Sequence, residues 1–117
     1  MAQEPTVEVL LNRFRNELQS VFYPFFVVSI IERNSSANRQ EIKEQIASLT
    51  GGTIEMEVAS HNRLIGRLEK TFRLIEPSGR ESDPSLVRYR LTQKGKRLYS
   101  ESLNQIIYPL SDILPTG

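Results

Sequence analysis

The 117-residue sequence predicts a mostly helical α+β fold, and three observations support this prediction. Apolar residues recur at helical spacing through most of the chain. The segments FRLIEP (72–77) and LVRYRL (86–91) have the composition of β-strands, and the turn-rich segment SGRESDPS joins them. Before these strands, two predicted helices are connected by a segment that contains Gly51-Gly52. This order is typical of a winged helix-turn-helix, here with extra N-terminal and C-terminal helices.

Composition and length favour one domain, residues 1–117, with a winged-helix core at 24–97. The sequence is 38% hydrophobic and 25% charged, as in ordinary globular proteins. No apolar run approaches the roughly 20 residues that a membrane helix needs, and no basic segment precedes the apolar stretch 23–31. We therefore expect a cytoplasmic protein without a membrane partner. Because the chain has no cysteine and a single histidine, we also expect no metal and no cofactor.

Charge is distributed unevenly, although the formal net charge is only +1. Residues 1–60 contain five Lys and Arg against eight Asp and Glu, whereas residues 61–97 contain ten against four. A basic excess of this kind is expected of a surface that displaces counterions from phosphates. The alternative is a solvated basic face that binds nothing.

The N-terminal half predicts three helices. The first spans 6–22, has Thr6 as N-cap and carries apolar residues at helical spacing from Val7 to Val21. Pro24 disfavours helical geometry in the residue before it and suits the start of a new helix, so we expect FFVVSIIER to form a second one. The third is predicted to begin after Asn38, to bury Ile42, Ile46 and Leu49, and to end at Gly51-Gly52.

The segment EVASHNRLIGRLEK, residues 57–70, predicts an amphipathic fourth helix. Its predicted apolar stripe contains Val58, Ile65, Leu68 and Phe72, with Leu64 beside it, and its opposite face contains Ser60, Arg63, Arg67 and Lys70. In a helix that enters the major groove of double-stranded DNA, the N-terminal half reaches the bases first. We therefore expect base contacts from Ser60, His61, Asn62 and Arg63, and phosphate contacts from Arg67 and Lys70.

The hairpin after this helix is predicted to present arginines. Val87, Tyr89 and Leu91 alternate with Arg88 and Arg90, so one face of the strand should pack and the other should be exposed. Arg80 lies at the predicted tip, beside Ser78 and Gly79. We expect Arg80, Arg88 and Arg90 to contact the DNA backbone.

The last predicted helix spans 93–114, with Thr92 as N-cap and Pro109 interrupting it. A small winged core leaves its apolar residues little to pack on, so we expect it to pair with the first helix, a second copy of the chain, or both. The protein should then be a homodimer. The predicted interface residues are Leu11, Phe14, Leu18, Leu103, Ile106, Ile107 and Leu110.

From about Phe25 to Leu98 the sequence resembles the PadR-like winged-helix transcription regulators. The resemblance rests on IGRLEK (65–70), LIE (74–76) and VRYRLTQKGKRLY (87–99), which contains Leu-Thr-x-x-Gly. It implies a dimer that binds inverted repeats in promoters and represses transcription. The short build is similar to that of small cyanobacterial members of the family, which would imply a role in biological rhythms.

This chain also departs from the family pattern. Asn62 stands where the family usually has an aromatic residue. Phe72-Arg73 stands where a glycine usually precedes the wing, which is the predicted hairpin. Only one predicted helix follows the wing, so the family's effector-sensing portion has no counterpart here and the resemblance does not extend to regulation by a small molecule.

Two other function classes compete with DNA binding. Winged helices also serve as protein-interaction adaptors, and the acidic first half of the chain could favour a protein surface. An enzyme is not expected. Ser60 and His61 are neighbours, but adjacent helical residues point about 100° apart and do not form a nucleophile and its base.

Overall fold

The computed structural model describes residues 3–115 and has the predicted order of helix, turn, helix and hairpin. A 3₁₀ turn, Pro84–Leu86, lies within the hairpin, and a π-helical turn, Leu103–Ile107, lies near the C-terminal end. The main elements are α1 (Val7–Asn34), β1 (Ala37–Asn38), α2 (Arg39–Leu49), α3 (Val58–Lys70), β2 (Ile75–Pro77), β3 (Arg88–Leu91), α4 (Gln93–Ser102) and α5 (Tyr108–Ser111). The predicted mostly helical α+β class is confirmed.

Helix α1 is continuous, so the prediction of two helices separated at Pro24 is wrong. A proline removes one backbone donor from a helix, and packing on both sides can compensate for this loss. Here Tyr23, directly before the proline, and Val27, three residues after it, are fully buried. The predicted N-cap is confirmed, because the Thr6 hydroxyl accepts a hydrogen bond of 3.3 Å from the amide of Val9.

The three strands form an antiparallel sheet in the order β1-β3-β2. Ala37 pairs with Tyr89, and Ile75 pairs with Leu91. The hairpin and its alternation are as predicted, since Tyr89 and Leu91 are buried while Arg88 is exposed. Strand β1 was not predicted, because two residues are too few to produce an alternating pattern.

The core lies where the second half of α1 meets α2, α3 and the sheet. Ile42 and Ile46 of α2 are buried there as predicted. Leu49 is exposed, contrary to the prediction, because α2 ends at this residue and Gly51 and Gly52, both with positive φ, turn the chain away. The apolar core residues are Tyr23, Val27, Val28, Ile30, Ile31, Ala37, Ile42, Ile46, Ile54, Leu64, Ile65, Leu68, Leu74, Ile75, Tyr89 and Leu91.

The C-terminal helical path ends earlier than predicted, at Ser111 rather than 114. In the π-helical turn the amide of Tyr108 donates to the carbonyl of Leu103, five residues back instead of four. Pro109 then falls in the first turn of α5, where the missing N–H has no intrahelical partner to lose. The π-helical turn is how the chain accommodates this proline.

Candidate nucleic-acid interface

Helix α3 carries most of the predicted DNA contacts and is held from behind by the core. Leu64, Ile65 and Leu68 are buried. Of the opposite face, Arg63, Arg67 and Lys70 are exposed, whereas Ser60 and Asn62 are partly buried. The core therefore fixes the helix while its basic side stays open to a ligand, a combination that a DNA-reading helix needs.

The cations on α3 are not neutralised by carboxylates. Among residues 3–115, the four ion pairs involve other arginines, and none includes Arg63, Arg67 or Lys70. One guanidinium nitrogen of Arg63 donates to the Ser60 hydroxyl at 3.2 Å, which orients it along the helix. Three positive charges on this face are therefore available to an anionic partner.

His61 is not on this face, so the prediction that it contacts bases is wrong. Its side chain is only 1% exposed. Nδ1 lies 2.8 Å from the hydroxyl oxygen of Tyr23 in α1, and Nε2 lies 2.9 Å from the backbone oxygen of Arg39 in α2. His61 therefore ties α3 to both neighbouring helices and positions the residues around it.

The partners of His61 fix one of its protons on Nε2. A backbone carbonyl can only accept, so Nε2 must donate, and a neutral ring then accepts from the Tyr23 hydroxyl at Nδ1. Burial lowers the pKa of His61 and outweighs the hydrogen bond to Arg39, which raises it; the charges of Lys43 and Arg39 lower it further. Burial also raises the pKa of Tyr23 to about 12, so its hydroxyl remains a donor at neutral pH.

The apolar stripe of α3 differs from the prediction at both ends. Val58, in the first turn, is 61% exposed, and Phe72 is exposed because it lies beyond the last helical residue, Lys70. Arg73 then adopts φ 55°, a left-handed conformation that favours glycine. This is where the PadR-like pattern leads one to expect a glycine, so an arginine occupies a strained position here.

Arg88 is exposed, but its guanidinium is already hydrogen-bonded within the protein, which the predicted contact with the DNA backbone did not anticipate. Its guanidinium donates to both carboxylate oxygens of Glu41, at 2.6 and 3.3 Å, and to the hydroxyl and carbonyl oxygens of Ser36, at 3.0 and 2.7 Å. These bonds join β3 to the start of α2. Asn38 caps the same helix by accepting from the amide of Glu41 at 2.9 Å. Arg88 is therefore a positioning residue of the wing.

The other two wing arginines differ from each other. Arg90 pairs across the strands with Glu76 at 3.1 Å. Arg80 is exposed near the hairpin tip and forms no ion pair with any residue in the described range 3–115. The predicted wing cations thus do not form one free patch, and Arg80 is the most available of the three.

A cleft of about 590 Å³ between α2, α3 and the 3₁₀ turn contains residues that the sequence analysis missed. Arg39 and Lys43 bring two more cations close to α3. Ile42 and Ile46 mark the buried face of α2, and neither Arg39 nor Lys43 lies on it. This position outside the buried face is the sequence signal that could have indicated them. The lining residues are Arg39, Gln40, Lys43, Glu44, Val58, His61, Asn62, Asp83, Pro84 and Ser85.

The residues predicted to form a dimer interface are largely uncovered in the single chain. Phe14 is 61% exposed, and Leu11, Leu18, Ile106 and Leu110 are exposed as well. Leu103 and Ile107 are partly buried. The N-terminal half of α1 and the C-terminal helical segment therefore present apolar side chains that nothing in the described part of the chain covers.

Neither a membrane helix nor a metal cluster is found in the described structure. Within residues 3–115, no helix is both long enough and apolar enough to cross a bilayer. The same residues contain no group of three or more His, Cys, Asp or Glu side chains placed to hold a metal ion.

Comparisons of sequence give no relative: no family model matches the chain, and no curated protein matches it. Solved structures do match. A MepR-like protein complexed with pseudoligands has a TM-score of 0.57 and 18% identity over 86% of this chain and 68% of that chain. A cysteine-to-serine mutant of MarR from E. coli has a TM-score of 0.59 and 16% identity over 98% and 89%. The same mutant complexed with operator DNA has a TM-score of 0.55 and 17% identity over 89% and 85%. The chain therefore has a winged-helix fold similar to that of MarR.

Proposed function

We propose that this chain is a sequence-specific transcriptional regulator that binds double-stranded DNA. The observation that carries the proposal is the exposed face of α3, where Arg63, Arg67 and Lys70 have no carboxylate partner among residues 3–115. In winged helices this helix enters the major groove, and unpaired cations there release counterions from the duplex. A solved structure of similar fold, the MarR mutant, is complexed with operator DNA.

The proposed DNA contacts have two roles. Ser60, Asn62 and Arg63 lie in the N-terminal half of α3 and are proposed to contact base edges. Cations farther along α3, on α2 and at the hairpin tip are proposed to contact phosphates, which hold the protein in register but read no sequence. These are Arg67, Lys70, Lys43 and Arg80.

The regulator is proposed to act as a homodimer. A second copy would cover the apolar side chains around Phe14 and Leu110, which are exposed in the single chain. Twofold symmetry would place two α3 helices about 34 Å apart, one turn of DNA, and so require a palindromic operator. Binding at a promoter would repress transcription. The resemblance to small cyanobacterial PadR-like proteins suggests a promoter of the circadian system.

A protein-interaction adaptor remains a second candidate, and one observation favours it. Arg88 and Arg90 are paired with Glu41 and Glu76, so the wing offers less free positive charge than the sequence alone predicts. An adaptor would use the exposed apolar helices to bind a different protein.

Fluorescence-anisotropy titration of labelled duplexes, recovered by selection from genomic fragments, separates these two functions. A DNA-binding regulator should bind a selected duplex more tightly than a random one, and its affinity should fall by about a thousandfold between roughly 50 and 200 mM salt. An adaptor should show neither the sequence preference nor the salt dependence. Failure to bind any duplex would reject the proposed function.

A further inference from the structure

Two side chains at the start of α3 lie together on the wall of the cleft between α2, α3 and the 3₁₀ turn. Val58 and Asn62 are four residues apart, so they are neighbours on one face of the helix with Cβ atoms about 5–6 Å apart. Val58 is 61% exposed, and within residues 3–115 it is not part of the core. The Asn62 side chain is partly buried and makes none of the side-chain hydrogen bonds found in this region.

These two side chains have complementary chemistry. The amide of an asparagine accepts one hydrogen bond and donates another, which matches the N6 amino group and N7 of adenine on the major-groove edge. The methyl groups of a valine match the C5-methyl group of thymine, which lies on the same edge of the same base pair. No other base pair offers this combination of donor, acceptor and methyl group.

The surroundings of the pair are polar and of mixed charge. Lys43 lines the α2 side of the same cleft and is proposed to meet a phosphate beside the base pair that α3 reads, whereas Arg39 is partly buried and donates to the Tyr89 hydroxyl at 3.4 Å. The lining also includes two carboxylates, whose hydrogen bonds come from neutral groups and do not cancel their negative charge: Glu44 accepts from Gln40 at 2.8 Å, and Asp83 accepts from the amide and hydroxyl of Ser85 at 3.0 and 2.8 Å. The apolar and amide groups on α3, rather than the charge of the cleft, therefore favour a base edge as the ligand.

We propose that Val58 and Asn62 together read an A·T base pair in each half-site, with the Asn62 amide bonded to adenine and the Val58 methyl groups packed on the thymine methyl. This inference rests on the proposed function, because it requires α3 to lie in the major groove. Each half-site of the operator must then contain an A·T base pair within reach of Val58 and Asn62.

The test pairs changes in the protein with changes in the base. The operator is first selected from randomised duplexes with the wild-type protein. Each A·T pair of a half-site is then altered in turn, with deoxyuracil for thymine to remove the methyl group, or with 7-deazaadenine for adenine to remove the N7 acceptor. Wild type, Val58→Ala, Asn62→Ala and the control Leu49→Ala are titrated against every duplex. Leu49 is an aliphatic residue whose exposure, 55%, is similar to the 61% of Val58. It lies at the C-terminal end of α2 and does not line the cleft.

At one A·T pair, deoxyuracil should weaken wild-type and Leu49→Ala binding by roughly fourfold and leave Val58→Ala binding unchanged. At the same pair, 7-deazaadenine should weaken wild-type and Val58→Ala binding by about fivefold and leave Asn62→Ala binding unchanged. Circular dichroism melts check that the variants remain folded. Val58→Ala is expected to fold, because Val58 is exposed and its replacement leaves no cavity in the core.

The possible failures are distinguishable. If the wild-type protein binds a specific duplex but the base changes weaken all variants equally, or weaken none, the reading of A·T is overturned and the proposed function stands. If the wild-type protein binds no duplex, both are overturned.

Discussion

At the residue scale, His61 shows how one buried polar side chain can organise a binding surface. It lies in α3 and forms hydrogen bonds with both α1 and α2, through the Tyr23 hydroxyl and the Arg39 carbonyl. Nε2 must donate to the Arg39 carbonyl, whereas Nδ1 accepts from the Tyr23 hydroxyl in the neutral ring and would donate to its oxygen in the protonated ring. Burial disfavours the charged ring, so the stability of the junction between α3 and the core is coupled to the protonation state of one residue.

This coupling predicts a pH dependence of stability. The pKa of His61 is lowered in the folded state, so the unfolded chain binds a proton first as the pH falls below about 6.5. Stability should be fully present above that pH and should decrease below it, by at most about 1.4 kcal/mol per pH unit. Urea denaturation at about pH 7.5 and pH 5 measures the change in the free energy of unfolding.

The matched control is His61→Gln, which cannot titrate in this range and should lose less stability between the two pH values than the wild type. Asp83 does not interfere, because hydrogen bonds from Ser85 hold its pKa below its ordinary value and it titrates at still lower pH. Equal losses in the wild type and the variant would mean that His61 is not the titrating group.

At the element scale, a close approach of two backbone segments fixes the C-terminal helix to the sheet. Thr92 donates its amide to the carbonyl of Leu74 at 3.0 Å, and its hydroxyl donates to the carbonyl of Arg73 at 2.8 Å. The same hydroxyl oxygen accepts from the amide of Gly95 at 3.0 Å, which caps α4. A Cβ atom at Gly95 would overlap the carbonyl oxygen of Leu74. The Leu-Thr-x-x-Gly motif is therefore explained by the packing of α4 on the chain leading into β2.

Gly95→Ala should destabilise the fold by at least about 1–3 kcal/mol, because the backbone of β2 or α4 must move to admit the methyl group. Gly66→Ala is the control: Gly66 lies in the interior of α3, and nothing lies within 4 Å of an added Cβ. That change should stabilise the fold by about 1 kcal/mol. Denaturant melts of both variants test this packing, and equal effects at the two glycines would contradict it.

The bonds of Arg88 have their own expected signature. Arg88→Ala should destabilise the protein by about 1 kcal/mol, since the ion pair is partly exposed but the hydrogen bonds to Ser36 are also removed. Arg88→Lys should not restore stability, because an ammonium cannot bond to Glu41 and Ser36 in the same planar geometry. Thermal melts measure both. Full rescue by lysine would show that charge alone matters at this position.

The sequence predicted the elements well and the side-chain environments less well. Hydrophobic periodicity and turn residues were sufficient for the helix-turn-helix, the hairpin and the caps at Thr6, Asn38 and Thr92. The continuity of α1 through Pro24 depends on packing between segments that are distant in the sequence. Predictions from local sequence do not include such packing. The pairing of Arg88 with Glu41 joins residues 47 positions apart, and no local pattern indicates it.

His61 was predictable in principle. With Leu64, Ile65 and Leu68 it forms an i, i+3, i+4, i+7 series, the spacing of a buried helical face. Its polar character favoured a surface position, and the predicted stripe ran instead through Val58 and Phe72. Val58 is the first residue of α3 and Phe72 lies beyond its last residue, and both are exposed.

At the scale of the whole molecule, the chain is elongated, with extents of 59 × 30 × 25 Å. The N-terminal half of α1 and the C-terminal segment leave apolar residues such as Phe14 and Leu110 exposed. A monomer with these faces uncovered would be prone to association. The molecular shape is thus consistent with the proposed dimer.

Phe14→Asp should convert the dimer to a monomer, because it introduces an unpaired charge into an apolar interface. Light scattering coupled to size exclusion measures the mass. Leu49→Asp is the control, since Leu49 is similarly exposed but lies outside the proposed interface. A wild-type protein that is monomeric at all concentrations, or a Phe14→Asp protein that remains dimeric, would rule out this interface.

The most direct test of the central claim is the salt dependence of duplex binding by the double variant Arg63→Gln/Arg67→Gln, compared with Arg13→Gln. Arg13 is exposed on α1 and pairs with Glu17, so its replacement removes a cation far from α3 in sequence. If α3 binds the major groove, the double variant should bind more weakly, and its log–log salt slope should be smaller by about 0.9 for each phosphate that the chain no longer neutralises, while Arg13→Gln retains the wild-type slope. A double variant with unchanged affinity and slope would contradict the claim that α3 is the DNA-binding element.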